Sequence, residues 1–187
     1  MMKIRFTCKY CGKRGLKVVY SKRQIEMTGE VSMIALIVAF AKNQVIGNKG
    51  HIPWKIKGEQ KRFKELTTGN VVVMGRRSYE EIGRPLPNRT TIVVSGTKEF
   101  AGDNLYTARS LQEAIKLAGD RDVFISGGAG LYEEALPIVE KMYITEIDKV
   151  IDGDTYFPRF AEGDFIKEVN ERMEGEIPYT YVTYTRK

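Results

Sequence analysis

One carboxylate in this sequence, Glu59, stands on a helical face that should be apolar. In segment 59–67, positions 59, 63 and 66 share one face, which places Glu59 beside Phe63 and Leu66. A carboxylate is costly to bury unless something binds it. Glu59 could instead stay in water and complement the helix dipole, and the two interpretations are about even. The rigid segment Ile52-Pro53-Trp54, just upstream and within reach of the same face, favours a ligand site.

Three turns rich in glycine and basic residues could bind the phosphates of a nucleotide. They are Gly75-Arg76-Arg77-Ser78 after segment 71–74, Ser95-Gly96-Thr97-Lys98 at the end of 91–95, and Gly127-Gly128-Ala129-Gly130 after 123–126. Glycine lets the backbone approach a pyrophosphate, and helix N-termini and arginines attract it. One such turn alone is explained as well by turn conformation. Three on one sheet favour a dinucleotide, and the cations near Ser95 favour NADP over NAD, although the linear Rossmann fingerprint is absent.

The elements that position these groups alternate along residues 33–187. Apolar runs at 34–41, 71–74, 91–95, 123–126 and 142–147 predict buried strands, and segments 59–67, 77–82, 110–118 and 130–136 have helical spacing. This alternation predicts a single α/β domain with a mostly parallel central sheet and helices on both faces. Ligands bind beyond the carboxyl ends of such strands, where the glycine turns lie. The last stretch, from residue 165 to the end, predicts an antiparallel pair on the sheet edge.

The basic character of the chain belongs to its first 32 residues. The 187 residues carry 30 basic and 24 acidic side chains, a net charge of +6. Residues 1–32 hold eight of the basic and two of the acidic ones, which leaves 22 of each in 33–187. The larger part is therefore neutral, and we expect no nucleic-acid partner for it.

Cysteine and histidine are too few for several kinds of chemistry. The only cysteines are Cys8 and Cys11, and the only histidine is His51. A disulfide framework is therefore not expected, and Ser-His-Asp or Cys-His catalysis would have to use His51. We take His51 as a loop residue without a role. The main body must rely on carboxylates, hydroxyls, arginines or a bound cofactor.

No apolar run approaches the ~20 residues that cross a bilayer. The run 34–41 ends in Ala39-Phe40-Ala41, which looks like a signal-peptide cleavage site. The basic stretch before it is about thirty residues long, too long for an ordinary signal sequence, so a buried first strand fits better. We expect a cytoplasmic protein with no membrane partner.

A series of short motifs runs through residues 33–187. They are Met33 to Phe40, Val45-Ile46-Gly47, Ile52-Pro53-Trp54, Glu59 to Lys64, Val73-Met74-Gly75-Arg76, Ile82-Gly83-Arg84-Pro85-Leu86-Pro87, Arg89, Gly127-Gly128, Leu131-Tyr132, Tyr143-Ile144-Thr145 and Gly153-Asp154-Thr155-Tyr156-Phe157-Pro158. In order and spacing they resemble the dihydrofolate reductase family, essentially without gaps. The combination of Pro-Trp, Met-Gly-Arg and Ile-Gly-Arg-Pro-Leu-Pro is far more specific than any one piece.

The resemblance implies a substrate site for dihydrofolate. The implied catalytic residues are Glu59, Trp54, Tyr132 and Thr145. Glu59 would accept hydrogen bonds from the pterin N3 and 2-amino groups, Thr145 would complete that network, and Trp54 would hold a water nearby. Further substrate contacts would come from Ile37, Val38, Phe63, Ile82, Leu86, Ser126 and Arg89, with Arg89 paired to the α-carboxylate of the glutamate tail. Ser126 stands where many members have an aliphatic residue.

The resemblance also implies a site for NADPH. Arg76, Arg77 and Ser95 would take the adenosine phosphates, Gly127 and Gly128 would line the pyrophosphate and nicotinamide region, and Tyr132 would lie beside the nicotinamide. The other implied cofactor contacts are Ala39, Ile46, Gly47, Gly75, Ser78, Ala129, Gly130 and Leu131. Residues 47–55 would form a mobile loop over the site, and Asp154 would hydrogen-bond to that loop and bias its closure.

The implied reaction converts 7,8-dihydrofolate to 5,6,7,8-tetrahydrofolate, in support of one-carbon and thymidylate metabolism. A hydride would pass from nicotinamide C4 to pterin C6, and N5 would take a proton from water, while Glu59 orients the pterin and favours the protonated form. We expect a monomer. One rival is an NADPH-dependent pyrimidine reductase of riboflavin synthesis, which is not expected to have Glu59 or the Arg89 clamp. The other is a nucleic-acid-binding protein that acts through the basic segment.

Residues 1–32 have no usual counterpart in the family, which begins near Met33. The motif Cys8-Lys9-Tyr10-Cys11 resembles half of a zinc ribbon, but zinc normally takes four ligands and no second cysteine pair exists. The alternatives are a zinc ion shared between two chains, a vestigial ribbon, a contact with an anionic surface, and a tail added by an upstream start. The vestigial or tail interpretation is favoured, and no metal is expected in the main body.

Removal of residues 1–32 separates the reductase from the nucleic-acid-binding interpretation. A reductase contained in 33–187 should keep its kcat/KM for dihydrofolate after the deletion, because every implied contact lies in that part. The measurement is NADPH oxidation by the full chain and by the shortened one. Loss of activity in a folded, shortened chain would contradict this boundary.

Overall fold

A computed structural model of the chain describes residues 5–7, 14–16, 33–56 and 58–187. The chain forms two compact units, Met1–Glu30 and Val31–Lys187. In the first unit, β1 (Arg5–Thr7) pairs antiparallel with β2 (Arg14–Leu16). The zinc candidates Cys8 and Cys11 lie outside the described residues, so that hypothesis stays a prediction.

The second unit alternates strands and helices and ends in two long strands. Its elements are β3 (Ile34–Ala41), β4 (Val45–Gly47), α1 (Glu59–Thr67), β5 (Val71–Gly75), α2 (Arg76–Ile82), β6 (Thr90–Val94), β7 (Leu105–Ala108), α3 (Leu111–Ala118), β8 (Val123–Ile125), α4 (Ala129–Ala135), β9 (Lys141–Ile147), β10 (Thr155–Tyr156), a short 3-10 helix (Glu162–Asp164), β11 (Phe165–Met173) and β12 (Tyr179–Arg186). All the predicted strands and helices are present to within one residue at each end. The additional strands β4, β7 and β10 are too short to show an alternating pattern.

Eight of these strands form one sheet in the order β11-β12-β9-β3-β8-β5-β6-β7. From β9 to β7 all neighbours are parallel, whereas β12 is antiparallel to both β9 and β11. The predicted fold class, an α/β domain with a mostly parallel sheet and an antiparallel edge, is therefore confirmed. Among the described residues, no helix is long and apolar enough to span a membrane.

The central strands are buried on both faces, which explains their uninterrupted apolar sequence. In β5, Val71 and Val73 pack in one cluster with Leu111 of α3. Val72 and Met74 point the other way and pack with Tyr79 of α2. Since successive side chains of a strand point to opposite faces, this alternation places helices on both sides of the sheet, as predicted.

The residue before helix α1 is a glycine whose backbone is in the left-handed region, and it sets the direction of the first helical turn. Gly58 precedes it with φ of 99°, and the carbonyl of Gly58 accepts the Arg62 N–H at 2.9 Å. Glycine adopts this conformation without the steric cost that a side chain would bring. Helix α3 uses a side chain instead, since Ser110 accepts from the N–H of Glu113 at 3.1 Å.

The loop after β4 begins with a tight turn. Asn48 and His51 exchange two backbone hydrogen bonds of 2.8 and 3.0 Å. Lys49 and Gly50 between them have φ of 50° and 84°, the two successive positive values of a type I′ turn. This turn matches the twist of paired strands, and β4 itself pairs antiparallel with β10.

Gly153 allows β4 and β10 to approach each other. A Cβ at this position would overlap Val45 Cγ1 and lie 2.5 Å from the Gly47 carbonyl oxygen. We expect Gly153→Ala to lower the free energy of unfolding by about 1–3 kcal/mol, because β4 must shift to accommodate the methyl group. Denaturant unfolding measures this loss. Gly163→Ala is the control, since no atom would lie within 4 Å of its Cβ; an equal loss in both variants would contradict the packing argument.

Candidate active site

Among the described residues, Glu59 is held through one of its two oxygens. Its Oε1 accepts a hydrogen bond of 3.0 Å from the Thr145 hydroxyl of β9. Its Oε2 is buried and has no hydrogen-bond partner among the described residues. Burial raises the pKa of Glu59, while the Thr145 hydrogen bond and the charge of Arg62 act to lower it. A carboxylate oxygen withdrawn from water without a donor favours the ligand-binding interpretation over a solvated dipole partner.

Arg62 joins this network, although no motif in the sequence predicts a role for it. Its Nη1 donates to the Thr145 hydroxyl at 3.2 Å and to the Ile144 carbonyl at 3.4 Å. Its guanidinium lies 3.9 Å from the centre of the Tyr181 ring. The i, i+3 spacing of Glu59 and Arg62 is a sequence signal for their proximity. The link to β9 and β12 has no such signal.

The predicted apolar wall surrounds Phe63. This half-buried ring packs in one cluster with Leu86 and in another with Ile37. Val38, the next residue of β3, is buried in the cluster on the opposite face of the sheet. Ile82, at the end of α2, is 41% exposed.

Trp54 and Tyr132 are both buried, and they contact different parts of the fold. Trp54 packs with Val45 and Ile147 in the cluster at the β12 side of the sheet. Tyr132 of α4 donates its hydroxyl proton to the Ile37 carbonyl at 2.9 Å. Burial raises the pKa of Tyr132, so it remains a neutral donor.

Arg89 is a buried arginine rather than a solvated turn residue. Its Nε donates to the Pro87 carbonyl at 2.9 Å, and its Nη1 donates to the Thr67 hydroxyl at 3.2 Å. The guanidinium carbon lies 5.8 Å from the centre of the Phe63 ring. These contacts fix the Arg89 guanidinium beside Phe63, where it can bind a carboxylate through two parallel hydrogen bonds.

Two of the glycine turns meet at the strand ends. The Gly75 N–H donates to the Gly127 carbonyl at 2.7 Å. A Cβ on Gly127 would lie 2.9 Å from the Ser78 hydroxyl, so a side chain does not fit there without a shift. The Ser126 N–H, just before this turn, donates to the Val73 carbonyl at 2.9 Å. The ends of β5 and β8 are therefore joined backbone to backbone, with no side chain between Gly75 and Gly127.

The remaining predicted cofactor residues lie on several elements. Arg76 and Arg77 form the first turn of α2, and Arg76 is half-buried whereas Arg77 is exposed. The third glycine turn differs, since Ser95 is buried and its hydroxyl accepts the Lys98 N–H at 3.0 Å. Ser95 therefore shapes its own turn. The others lie in β3 and β4 (Ala39, Ile46, Gly47) and at the start of α4 (Ala129, Gly130, Leu131).

Two carboxylates hold the predicted loop. Asp154 accepts the Lys49 N–H at 2.9 Å, which is the main cause of its lowered pKa. Glu81 of α2 accepts the Ile52 N–H at 3.0 Å, and His51 Nδ1 lies 3.6 Å from the same oxygen. The contact of Glu81 joins residues 29 positions apart and has no local sequence signal.

A cavity of about 590 Å³ lies elsewhere, lined by Phe40, Lys42, Asp148, Arg159 and Arg172 among others. None of the predicted site residues lines it. Two of its cations, Lys42 and Arg172, are paired with Asp148 at 3.4 and 3.5 Å. Its charges therefore favour no particular class of ligand.

The family model for dihydrofolate reductase matches residues 33–186, most of the chain. The chain belongs to the dihydrofolate reductase family. The predicted family and enzyme class are confirmed by this match. The family model that matches is therefore dihydrofolate reductase and not the rival pyrimidine reductase of riboflavin synthesis.

Named dihydrofolate reductases match over most of the chain. The type A13 enzyme of Escherichia coli is 36% identical over 163 residues, which cover 86% of this chain and 99% of the relative. The type 3 enzyme of Salmonella typhimurium is 43% identical over 129 residues, 68% of this chain and 80% of that one. The solved dihydrofolate reductase from Enterococcus faecalis, complexed with NADP(H) and RAB-propyl, has a TM-score of 0.75 at 32% identity and covers 82% of this chain and 96% of its own.

The burial of the Glu59 carboxylate should lower the free energy of unfolding of this reductase at neutral pH. Because burial raises the pKa of Glu59, the folded chain binds its proton more tightly than the unfolded chain, and stability falls as pH rises from the unfolded pKa to the folded one. We expect Glu59→Gln to unfold at neutral pH with a free energy equal to or about 1 kcal/mol above that of the parent. Denaturant titrations at several pH values measure this, with the exposed Glu65→Gln as control. A marked loss of stability in Glu59→Gln alone would contradict it.

Proposed function

We propose that this reductase converts 7,8-dihydrofolate to 5,6,7,8-tetrahydrofolate at the crevice around Glu59. NADPH supplies the hydride that C6 of the pterin gains, and N5 gains a proton from water, so that the double bond between them becomes single. The observation that carries the proposal is the buried Oε2 of Glu59, which has no hydrogen-bond partner among the described residues. It needs an N–H donor, and a pterin offers two adjacent ones at N3 and the 2-amino group.

Glu59 binds and orients the substrate in this proposal. The Thr145 hydroxyl holds Oε1 at 3.0 Å, which leaves Oε2 for the substrate. Hydrogen bonds from a pterin to a buried carboxylate are charge-assisted and stronger than neutral ones. The negative charge also favours a protonated pterin. Glu59 therefore acts by position and electrostatics, and the proton itself comes from water.

The residues at the strand ends fit a dinucleotide. At Gly75 and Gly127 the backbone carries no side chain, which a pyrophosphate needs for close approach. Arg76 and Arg77 add two fixed charges at the start of α2, suited to phosphates. Gly128 and Tyr132 would line the nicotinamide end. Ser95 would contribute through the shape of its turn.

The far end of the substrate would be bound by Arg89. Its guanidinium is oriented by Pro87 and Thr67, so it is pre-organised for a planar partner such as the α-carboxylate of a glutamate. Phe63, Leu86 and the exposed Ile82 would cover the ring systems between Glu59 and Arg89. The loop held by Asp154 would close over the pterin and exclude water.

We also propose that residues 33–187 are the reductase domain and residues 1–32 an added segment. The neutral balance of 33–187 and the family match over 33–186 support this division. The enzyme would act as a monomer in the cytoplasm, without nucleic-acid or membrane partners. The segment with Cys8 and Cys11 would be a vestigial half-ribbon or a tail.

The function is tested by NADPH oxidation in the presence of dihydrofolate, with NADH in parallel. We expect rapid oxidation of NADPH and little of NADH, because Arg76 and Arg77 favour the additional 2′-phosphate. Glu59→Gln should lower kcat/KM for dihydrofolate by about 10²-fold or more. NADPH binding, followed by fluorescence, should remain near that of the parent.

The control variant is Glu65→Gln, an exposed acid on the same helix that pairs with Lys61. It should keep the parental kcat/KM. If Glu59→Gln lost NADPH affinity and turnover to the same extent, Glu59 would not be specific to the pterin. If the parent bound NADPH but oxidised none, the pterin assignment would fail and the nucleotide site would stand.

A further inference from the structure

Arg62 brings a full positive charge to the network around Glu59. Two elements besides α1 hold its guanidinium: β9 through Ile144 and Thr145, and β12 through the ring of Tyr181. The side chain is half-buried, and its guanidinium carbon lies 3.9 Å from that ring centre, so its position is fixed from two sides.

The hydrogen bond from Arg62 occupies a lone pair of the Thr145 hydroxyl and leaves its proton for Glu59. A threonine hydroxyl has one proton to donate, and a guanidinium can only donate. Thr145 Oγ1 accepts from Arg62 with one lone pair, and its own proton goes to Glu59 Oε1 at 3.0 Å. Without Arg62, both lone pairs of the hydroxyl are free, and it accepts more readily from a neutral Glu59. The Arg62 contact thus favours the ionised form of Glu59.

The charge of Arg62 acts in the same direction. Among the described groups that shift the pKa of Glu59, Arg62 is the only cation, and it opposes the rise that burial causes. The other titratable groups that face the pair are Tyr143 of β9, Glu171 of β11 and Tyr181 of β12. Burial raises the pKa of Tyr181, which is therefore neutral at physiological pH. Glu171 is exposed, so water screens it.

We propose that Arg62 is a positioning residue of this reductase, which directs the Thr145 hydroxyl at Glu59 and keeps the Glu59 carboxylate ionised for the pterin. The proposal rests on the proposed function, since it takes the pterin as the ligand of Glu59. An ionised carboxylate accepts two N–H groups, whereas a protonated one loses an acceptor position. Arg62 thereby extends dihydrofolate binding to lower pH than burial of Glu59 alone would allow.

The direct test is the ionisation of Glu59 in the ligand-free enzyme. The Glu59 side-chain carbon is followed by NMR through a pH titration of protein labelled at glutamate carboxyl carbons, with its signal assigned by its loss in Glu59→Gln. We expect Arg62→Met to raise the pKa of Glu59 by about one pH unit, because it removes both the cation and the donor to Thr145. Arg62→Lys keeps the charge and should show a smaller rise.

The matched control is Lys61→Met, which removes a neighbouring cation of α1 that pairs with Glu65 in the exposed region. It should leave the titration unchanged. If Arg62→Met lowered the melting temperature but left the titration at the parental position, Arg62 would be a packing residue and the proposal would be overturned. If Arg62→Met did not fold, the titration of Arg62→Lys and of Arg62→Gln would decide in the same way.

A kinetic readout separates this inference from the proposed function. In Arg62→Met, KM for dihydrofolate should rise severalfold below neutral pH and approach the parental value at higher pH, while NADPH binding stays unchanged. A parent that reduces dihydrofolate, combined with a variant of parental pH profile, would overturn the role of Arg62 alone. A parent without activity would overturn the pterin assignment, and the NMR titration would still report on the Arg62–Glu59 coupling.

Discussion

A carboxylate that the fold shelters from water, and only half satisfies, is the constraint on which this structure depends. The Thr145 hydroxyl satisfies one oxygen of Glu59, and the other is buried without a partner among the described residues. Keeping it there requires a helix that starts at the left-handed Gly58, a strand that presents Thr145, and an aromatic residue, Phe63, that anchors the helix to the sheet. The site thus lacks a hydrogen-bond donor for Oε2 of Glu59, and a ligand can supply it.

The two halves of the crevice are built by different means. The half around Glu59 uses side chains, whose charge and hydrogen-bond direction select a ligand. The half between β5 and β8 uses backbone, since Gly75 and Gly127 approach to a hydrogen bond of 2.7 Å and a Cβ on Gly127 would clash with Ser78. Side chains tune recognition of the substrate, and glycines give close approach to a large cofactor. One sheet holds both halves in register because its central strands are buried on both faces.

The sequence predicts the architecture closely and the site in part. Helix α1 appears at its predicted bounds, because apolar spacing and the sheet require the same helix. Glu59 and Thr145, 86 residues apart, meet as the family resemblance implies. The sequence predicts neither the hydrogen bond from Ile52 to Glu81 nor the contacts of the Arg62 guanidinium with β9 and β12. Both depend on how distant elements pack and not on local spacing. The role of Ser95 stays a prediction; its hydroxyl accepts the Lys98 N–H within the turn.

Within the part of the chain that the structure describes, few contacts tie the turn of Lys49 and Gly50 to the rest of the fold. Its contacts to Asp154 and Glu81 are single hydrogen bonds to carboxylates on exposed residues, where water competes for the same oxygens. Opening such a segment breaks little buried apolar surface, so its local unfolding free energy should lie far below that of the sheet. The Lys49 and Ile52 amide protons would then exchange with solvent long before those of β5, and the crevice could admit and release ligands while the core stays folded.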